Sequence, residues 1–214
     1  INYVINRSDI RSSELKKDEI KLLREFINQA NADPNRLLKG TVISSYASPD
    51  GKLSLNEKLS VNRGNSADKF IKKEFQKIEA AKTDGFFSSL TTPEDWEGFR
   101  TEVENSTIPD KELILRVLSM YSDPEVREKE IRNMSVAFEA LKTDILPKLR
   151  RSKMTVNVDV IGRSDEQILA QMRSEPGVLS MEEMLYSGTL TSDNNEKLKF
   201  YQAAAAAFPK CIRA

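Results

Sequence analysis

A two-layer α/β domain followed by a short helical segment is the fold class that this 214-residue sequence predicts. Three observations carry the prediction. The first half alternates strand-like and helix-like stretches. The stretch 155–161 alternates apolar and polar residues with the period of a half-buried strand. The last 35 residues are helical in pattern and end in an alanine-rich run. With 39% hydrophobic residues, the chain has enough apolar surface for a substantial core.

Tyr3 to Asn6 is rich in strand-favouring types. The polar residues Ser12 and Ser13, with Glu14 in the first turn, open a helix whose apolar positions Ile20, Leu23, Phe26, Ile27 and Ala30 recur every three or four residues. Asp33-Pro34 ends that helix, because the residue before a proline is driven out of the helical region. Thr41 to Tyr46 reads as a partly buried strand, and Ser48-Pro49-Asp50-Gly51 as a turn. Ser54-Leu55-Asn56-Glu57 has the form of a capping box and predicts a second helix start near Ser54. Leu59, Ala67, Phe70, Ile71, Phe75 and Ile78 form its apolar stripe. Gly85-Phe86-Phe87 predicts a third strand.

From Pro93 to Arg151 the pattern is helical, with Pro109 and Pro124 where new helices begin and Pro147 where the last one kinks or stops. Thr155 to Ile161 is expected as an inner strand with its valines toward the core. Arg163 to Gly177 reads as a connector containing a short helix. Beyond it, Met181 to Gly188 and Asn195 to Phe208 read as two helices. Tyr201, Ala204 and Pro209 have the spacing of the second helix of a tetratricopeptide repeat, which this tail resembles.

Composition removes several function classes. Thirty-three basic residues balance thirty-three acidic ones, so the electrostatic attraction behind non-specific nucleic-acid binding is absent, and no nucleic-acid partner is expected. No histidine is present, which removes the usual general base and the commonest transition-metal ligand. The single cysteine, Cys211, reads as an inert thiol. No pair of carboxylates stands out for acid–base work, and a non-enzyme without cofactor or metal is expected. No apolar run reaches transmembrane length. The chain begins at Ile1 rather than a methionine, which reads as a piece excised from a longer protein.

The constellation with most functional content lies at 46–64. Asn56, Ser60 and Arg63, spaced i, i+4, i+7, share one helical face beside the Ser48 to Gly51 turn, and that face is expected opposite Phe70 and Ile71. One cation and two neutral hydrogen-bonding groups near a helix N-terminus suit a carboxylate ligand. Asn56, Leu59, Ser60 and Arg63, with Gly51 closing the turn and Leu149-Arg150-Arg151 before the final strand, resemble the signature of the OmpA C-terminal-like family of peptidoglycan-associating domains.

That resemblance implies an OmpA-like two-layer sandwich with a mixed four-stranded sheet over residues 1–163, carrying a helical insertion at about 93–151. A connector at 164–179 and a partial tetratricopeptide-like segment at 180–214 follow. It implies a non-catalytic module that tethers or scaffolds an outer-membrane assembly, in the periplasm or outer membrane of a Gram-negative bacterium. The peptidoglycan peptide stem and other envelope proteins are the implied partners, and Arg63, Asn56, Ser60, Ser48 and Asp50 the implied ligand residues. In the family an aspartate fifteen residues before the arginine holds the ammonium of diaminopimelate, and here that position is Ser48. A neutral serine does not replace a carboxylate facing an ammonium unless Asp50 turns in. The alternative reading therefore keeps the fold and assigns it to protein–protein assembly, with diaminopimelate binding lost.

Overall fold

The computed structural model describes residues 1–213. Contacts divide the chain into two units, Ile1–Asp159 and Val160–Ala214. The first unit opens with an extended strap and a single 3-10 turn at Glu14–Lys16, followed by α1 (Asp18–Ala32), β1 (Arg36–Tyr46) and α2 (Leu53–Glu74). A second 3-10 turn at Glu79–Lys82 leads to β2 (Phe87–Thr92). Then come α3 (Trp96–Glu104), α4 (Lys111–Met120), α5 (Pro124–Asn133), α6 (Ser135–Ala140), a π-helical turn Leu141–Ile145, α7 (Leu146–Leu149) and β3 (Ser152–Val160).

The sheet has three strands in the order β2-β1-β3, which corrects the four-stranded expectation. β1 and β2 are parallel, in register from Thr41 opposite Phe87 to Tyr46 opposite Thr92, and α2 is the crossover that parallel strands require. The N–H of Tyr46 donates to the Arg151 carbonyl, and Lys39 pairs with Asp159 at the far end, so β3 runs antiparallel to β1. The residues around Tyr3 contribute one bridge, Asn2 to Arg151, rather than a strand. Nor is β3 the inner strand expected. It lies at an edge, where Val156 and Val158 are half-buried and Val160 is 78% exposed. Alternation reports one covered face, and an edge strand has that as surely as a central one.

α1 and α2 cover one face of this sheet. Ile27 of α1, Ile43 of β1, and Ala67, Ile71 and Phe75 of α2 form a core with Ile78 and Phe86. Phe75, Phe86 and Phe87 meet with ring centroids 5.0–5.7 Å apart, Phe87 edge-on to each of the other two as the ring quadrupole favours and Phe75 tilted against Phe86. The expected capping box at Ser54 does not form. α2 starts at Leu53 with Lys52 at the cap position and no side-chain cap.

The helical insertion has a core of its own, including Phe99, Val103, Ile114, Leu118, Ile131, Leu141, Ile145 and Leu149, with Trp96 packed against it. Pro124 stands in the first turn of α5, capped by Asp123. Pro147 has no N–H to continue an α-ladder, and the chain answers with the π-turn at Leu141–Ile145 immediately before it.

In the second unit the stretch read as a connector holds α8 (Asp165–Ser174), a 3-10 turn Pro176–Val178 and then α9 (Met181–Ser187) and α10 (Asn194–Ala207). Capping boxes at Ser164/Gln167 and Ser180/Glu183 start α8 and α9. Ile168 and Met172 of α8 join Leu179, Met184, Phe200 and Ala204 in one core. Gly188 ends α9 so close to the Tyr201 ring that a methyl group there would collide with it.

A cheap test of this packing lies at Gly64. A Cβ there would sit 3.6 Å from the Ser45 hydroxyl and 3.7 Å from the Thr91 methyl, ordinary van der Waals contact in the middle of a long helix. Gly64→Ala is expected to raise stability by about 0.5–1 kcal/mol in urea unfolding, through lower backbone entropy in the unfolded chain. A loss of stability would show that α2 lies closer to the sheet than these distances allow.

Candidate functional site

Asn56, Ser60, Arg63, Gly64, Ala67 and Ile71 are all buried in α2 and make one continuous stripe against the sheet. This corrects the expectation that the polar trio faces away from Ile71. From Ser60 to Ile71 is eleven residues, three turns of α-helix, so the polar and apolar positions share a face. The strand-to-helix turn, the start of α2 and the residues before β3 therefore converge inside the protein.

Arg63 lies at the centre and is 1% exposed. Its Nε donates to the Arg7 carbonyl at 3.0 Å and its Nη1 to the Tyr46 carbonyl at 2.9 Å. Its guanidinium carbon lies 5.3 Å from the centre of the Tyr3 ring. Among the described residues no carboxylate is within ion-pairing distance of it. Burial, and then the neighbouring Arg150 guanidinium, push its pKa down to about 10, which leaves it charged at neutral pH.

Arg150 neutralises the turn. Its Nε donates to the Ser48 hydroxyl at 3.1 Å, and its Nη2 pairs with Asp50 at 3.2 Å. The Ser48 hydroxyl donates in turn to the other Asp50 oxygen. Asp50 has thus turned in beside Ser48, and its charge faces an arginine of the same chain. Asn56, 4% exposed, donates to the carbonyls of Ser48 and Gly51, both at 3.1 Å, and holds the turn closed. Ser60 is fully buried, and its hydroxyl donates back to the Glu57 carbonyl.

The structure thus joins Ser48, Asp50 and Asn56 directly, brings Arg63 beside them through Arg150, and leaves Ser60 bonded within its own helix. It adds residues that sequence reasoning did not place there. The Tyr3 hydroxyl donates to the Arg63 carbonyl at 3.1 Å and shares a hydrogen bond with Ser152, whose hydroxyl is 2.7 Å from that of Ser45. Tyr3 reads in the sequence as a strand residue, and nothing local marks it as the cover of an arginine 60 positions away. Glu14, 3% exposed, anchors the strap by accepting from the Asn2 N–H at 2.8 Å and pairing with Arg11 and Lys17.

An open cleft of about 1080 Å³ lies outside the turn, between the start of α2 and α5. Its wall carries Glu94, Asp123, Glu125 and Glu128 against Lys52 and Arg132. Arg132 is already engaged with Glu128 and the Asp50 carbonyl. Burial raises the Glu94 pKa, the indole N–H of Trp96 opposes this, and Glu128 and Glu125 add to the rise. This wall repels a carboxylate.

The cluster holds two cations against one carboxylate, which ranks its variants. Asp50→Asn leaves two buried guanidiniums facing each other, whereas Arg150→Gln removes the charge that repels Arg63. In urea unfolding Asp50→Asn is expected to be the more destabilising, and Arg63→Ala to lose about 1–3 kcal/mol by leaving the buried Arg7 and Tyr46 carbonyls without their donor. Equal small effects, under about 0.5 kcal/mol, would mean that the cluster is solvated.

Acid should loosen the strap. Burial alone raises the Glu14 pKa, but the Asn2 N–H and the Lys17 and Arg11 cations outweigh it and hold the group below the ordinary glutamate range. A lowered folded pKa means that the stabilisation is complete above the unfolded value and is lost as pH falls through the folded one. The protection factors of the strap amides, exchange rates taken relative to the intrinsic rate at each pH, are expected to fall over that acidic window in the parent and to lose this pH dependence in Glu14→Gln. No protein-family model, curated protein or solved structure matches the chain.

Proposed function

We propose that the chain is a non-catalytic module of a bacterial cell envelope that serves as a scaffold in protein assembly, its ligand-type residues having been turned inward to hold the domain together. The observation that carries this reading is the state of Arg63. Its donors end on the Arg7 and Tyr46 carbonyls, the Tyr3 ring covers its face, and it is 1% exposed. Asp50, the residue able to meet an ammonium, is already paired with Arg150. The acidic cleft outside the turn adds a repulsive wall for a ligand that ends in carboxylates. The envelope setting comes from the resemblance in residues 46–64 and 149–151, as does a tetratricopeptide-like role for α9 and α10 as an assembly surface.

A second reading, in which Arg63 and Asp50 grip the diaminopimelate of a peptide stem, draws on the excess of two guanidiniums over one carboxylate. It requires the strap from Tyr3 to Arg7 to leave and Asp50 to exchange its partner. Co-sedimentation with purified peptidoglycan separates the two. The scaffold reading expects the parent chain to stay in the supernatant and Ser48→Asp to stay there too, because Arg63 remains covered. Retention of the parent that free diaminopimelate reverses would overturn it.

A further inference from the structure

The arginine cluster holds more positive charge than its own carboxylate cancels. Arg63 and Arg150 face Asp50 alone, and Arg150 adds to the lowering of the Arg63 pKa that burial begins. Charge enclosed in protein and left unbalanced is unfavourable, and an ion from outside can offset it.

A cleft of about 410 Å³ borders the cluster on the strap side, between the strap and the residues just before β3. Arg11, Lys17, Lys148 and Arg150 stand in its wall, and Glu14 is the one carboxylate among the described residues that line it. Both Glu14 oxygens are covered, Oε1 by Arg11 and Oε2 by the Asn2 N–H and Lys17. Asp50 and Glu102 pair with Arg150 and Lys148 from outside the wall. With Arg63 behind it, five cations face three carboxylates, a surplus of two charges. Arg150 supplies the anchor. It is 8% exposed, so its guanidinium is held in place, and its Nε and Nη2 already donate to Ser48 and Asp50. Nη1 donates to no group among the described residues, and it is not one of the sealed polar atoms that lack a partner, so it stays open to the cleft that Arg150 borders.

We infer that this cleft is a binding site for a phosphate group, free or carried as a monoester, with Arg150 Nη1 as the fixed donor and Lys17, Lys148 and Arg11 around it. A phosphate dianion matches the surplus of two, whereas a carboxylate answers half of it. Its oxygens point in several directions, which suits one fixed guanidinium N–H and separate point charges on flexible stems, while a planar carboxylate prefers a paired fork such as the Nε and Nη2 edge that Ser48 and Asp50 occupy. Val4 and Ile5, 43% and 52% exposed, and Pro147 give the same cleft an apolar side where the substituent of an ester can lie. The site goes beyond the scaffold reading and does not rest on it.

Titration of the isotope-labelled whole chain with inorganic phosphate, followed by amide shifts at constant low ionic strength, supplies the test. Saturable shifts are expected in the strap and at Lys148 to Arg151, with a dissociation constant below about 1 mM. Arg150→Gln is expected to raise that constant at least about tenfold, the loss of one charge-assisted hydrogen bond. Arg150 also holds Asp50, so the double variant Lys17→Gln/Lys148→Gln, which changes exposed side chains alone, carries the test independently and is expected to weaken binding by at least about tenfold. Butyl phosphate separates the two sources. Tighter binding than inorganic phosphate assigns the site to an ester, and equal binding assigns it to the free ion. Shifts that fail to saturate by about 50 mM, or that acetate reproduces at the same concentration, mean an adventitious ion only and overturn the inference. Saturable binding that the double variant leaves unchanged overturns it as well. Peptidoglycan takes no part in the titration, so this site and the scaffold reading can each fail without the other.

Discussion

A guanidinium removed from water with no carboxylate in ion-pairing distance has to find neutral acceptors arranged around it, and for Arg63 these come from two separate parts of the chain. The strap supplies the Arg7 carbonyl and the Tyr3 ring, the end of β1 supplies the Tyr46 carbonyl, and α2 holds the arginine itself. Carbonyl acceptors leave its charge unneutralised, so nearby charges must balance. Arg150 raises the local positive charge, and Asp50, fixed by the Ser48 hydroxyl and Arg150, brings it down. The turn from Ser48 to Gly51 cannot shift without disturbing this balance, and Asn56 ties that turn to the start of α2. Strap, turn, helix and the start of β3 are thus coupled through one charge.

The same coupling explains why the strap is ordered though it forms no strand. Its backbone bonds to the start of β3 include Tyr3 N–H to the Arg150 carbonyl and Ser152 N–H to the Ile1 carbonyl, with Glu14 gathering Asn2, Arg11 and Lys17. A longer β-pairing would carry the strap away from Arg63. One bridge followed by a turn toward α2 lets Tyr3 reach both Ser152 and the arginine.

How much of this was legible in the sequence follows from the range of each interaction. Local signals read well. The three- and four-residue repeats of Ile20, Leu23, Ile27 and Ala30, and of Ala67, Ile71 and Phe75, mark faces turned to the core, although Phe26 of the first stripe is exposed, and Pro124 does begin a helix. The motif at 46–64 singled out residues that do gather in space. What stayed hidden was long-range. Nothing in Val156, Val158 and Val160 distinguishes an edge from a centre, because strand order is set by what lies beyond the neighbouring strand. Ser54 and Glu57 have capping-box spacing, yet α2 begins one residue earlier at Leu53, and its first turn follows the geometry of the tight turn before it. Arg63 reads as a surface cation by residue type, and its burial is decided by Tyr3 and Arg150, 60 and 87 positions away.

The Ser48 position shows how one residue type separates the two functional readings. An aspartate there would add a second carboxylate beside Asp50 and a charge directed at the turn's opening, in place of a hydroxyl that bonds only inward. With serine, the hydroxyl donates to Asp50 and accepts from Arg150, so the turn closes on itself with each partner engaged. A binding turn needs a surplus of charge directed outward, whereas a structural turn needs the charges to cancel inside. Here the carboxylate is cancelled by Arg150, the surplus cation is enclosed by carbonyls, and the open cleft next to it carries charge of the sign that turns a carboxylate away. The arrangement that most resembles a ligand site is therefore the one that most tightly joins the parts of this domain.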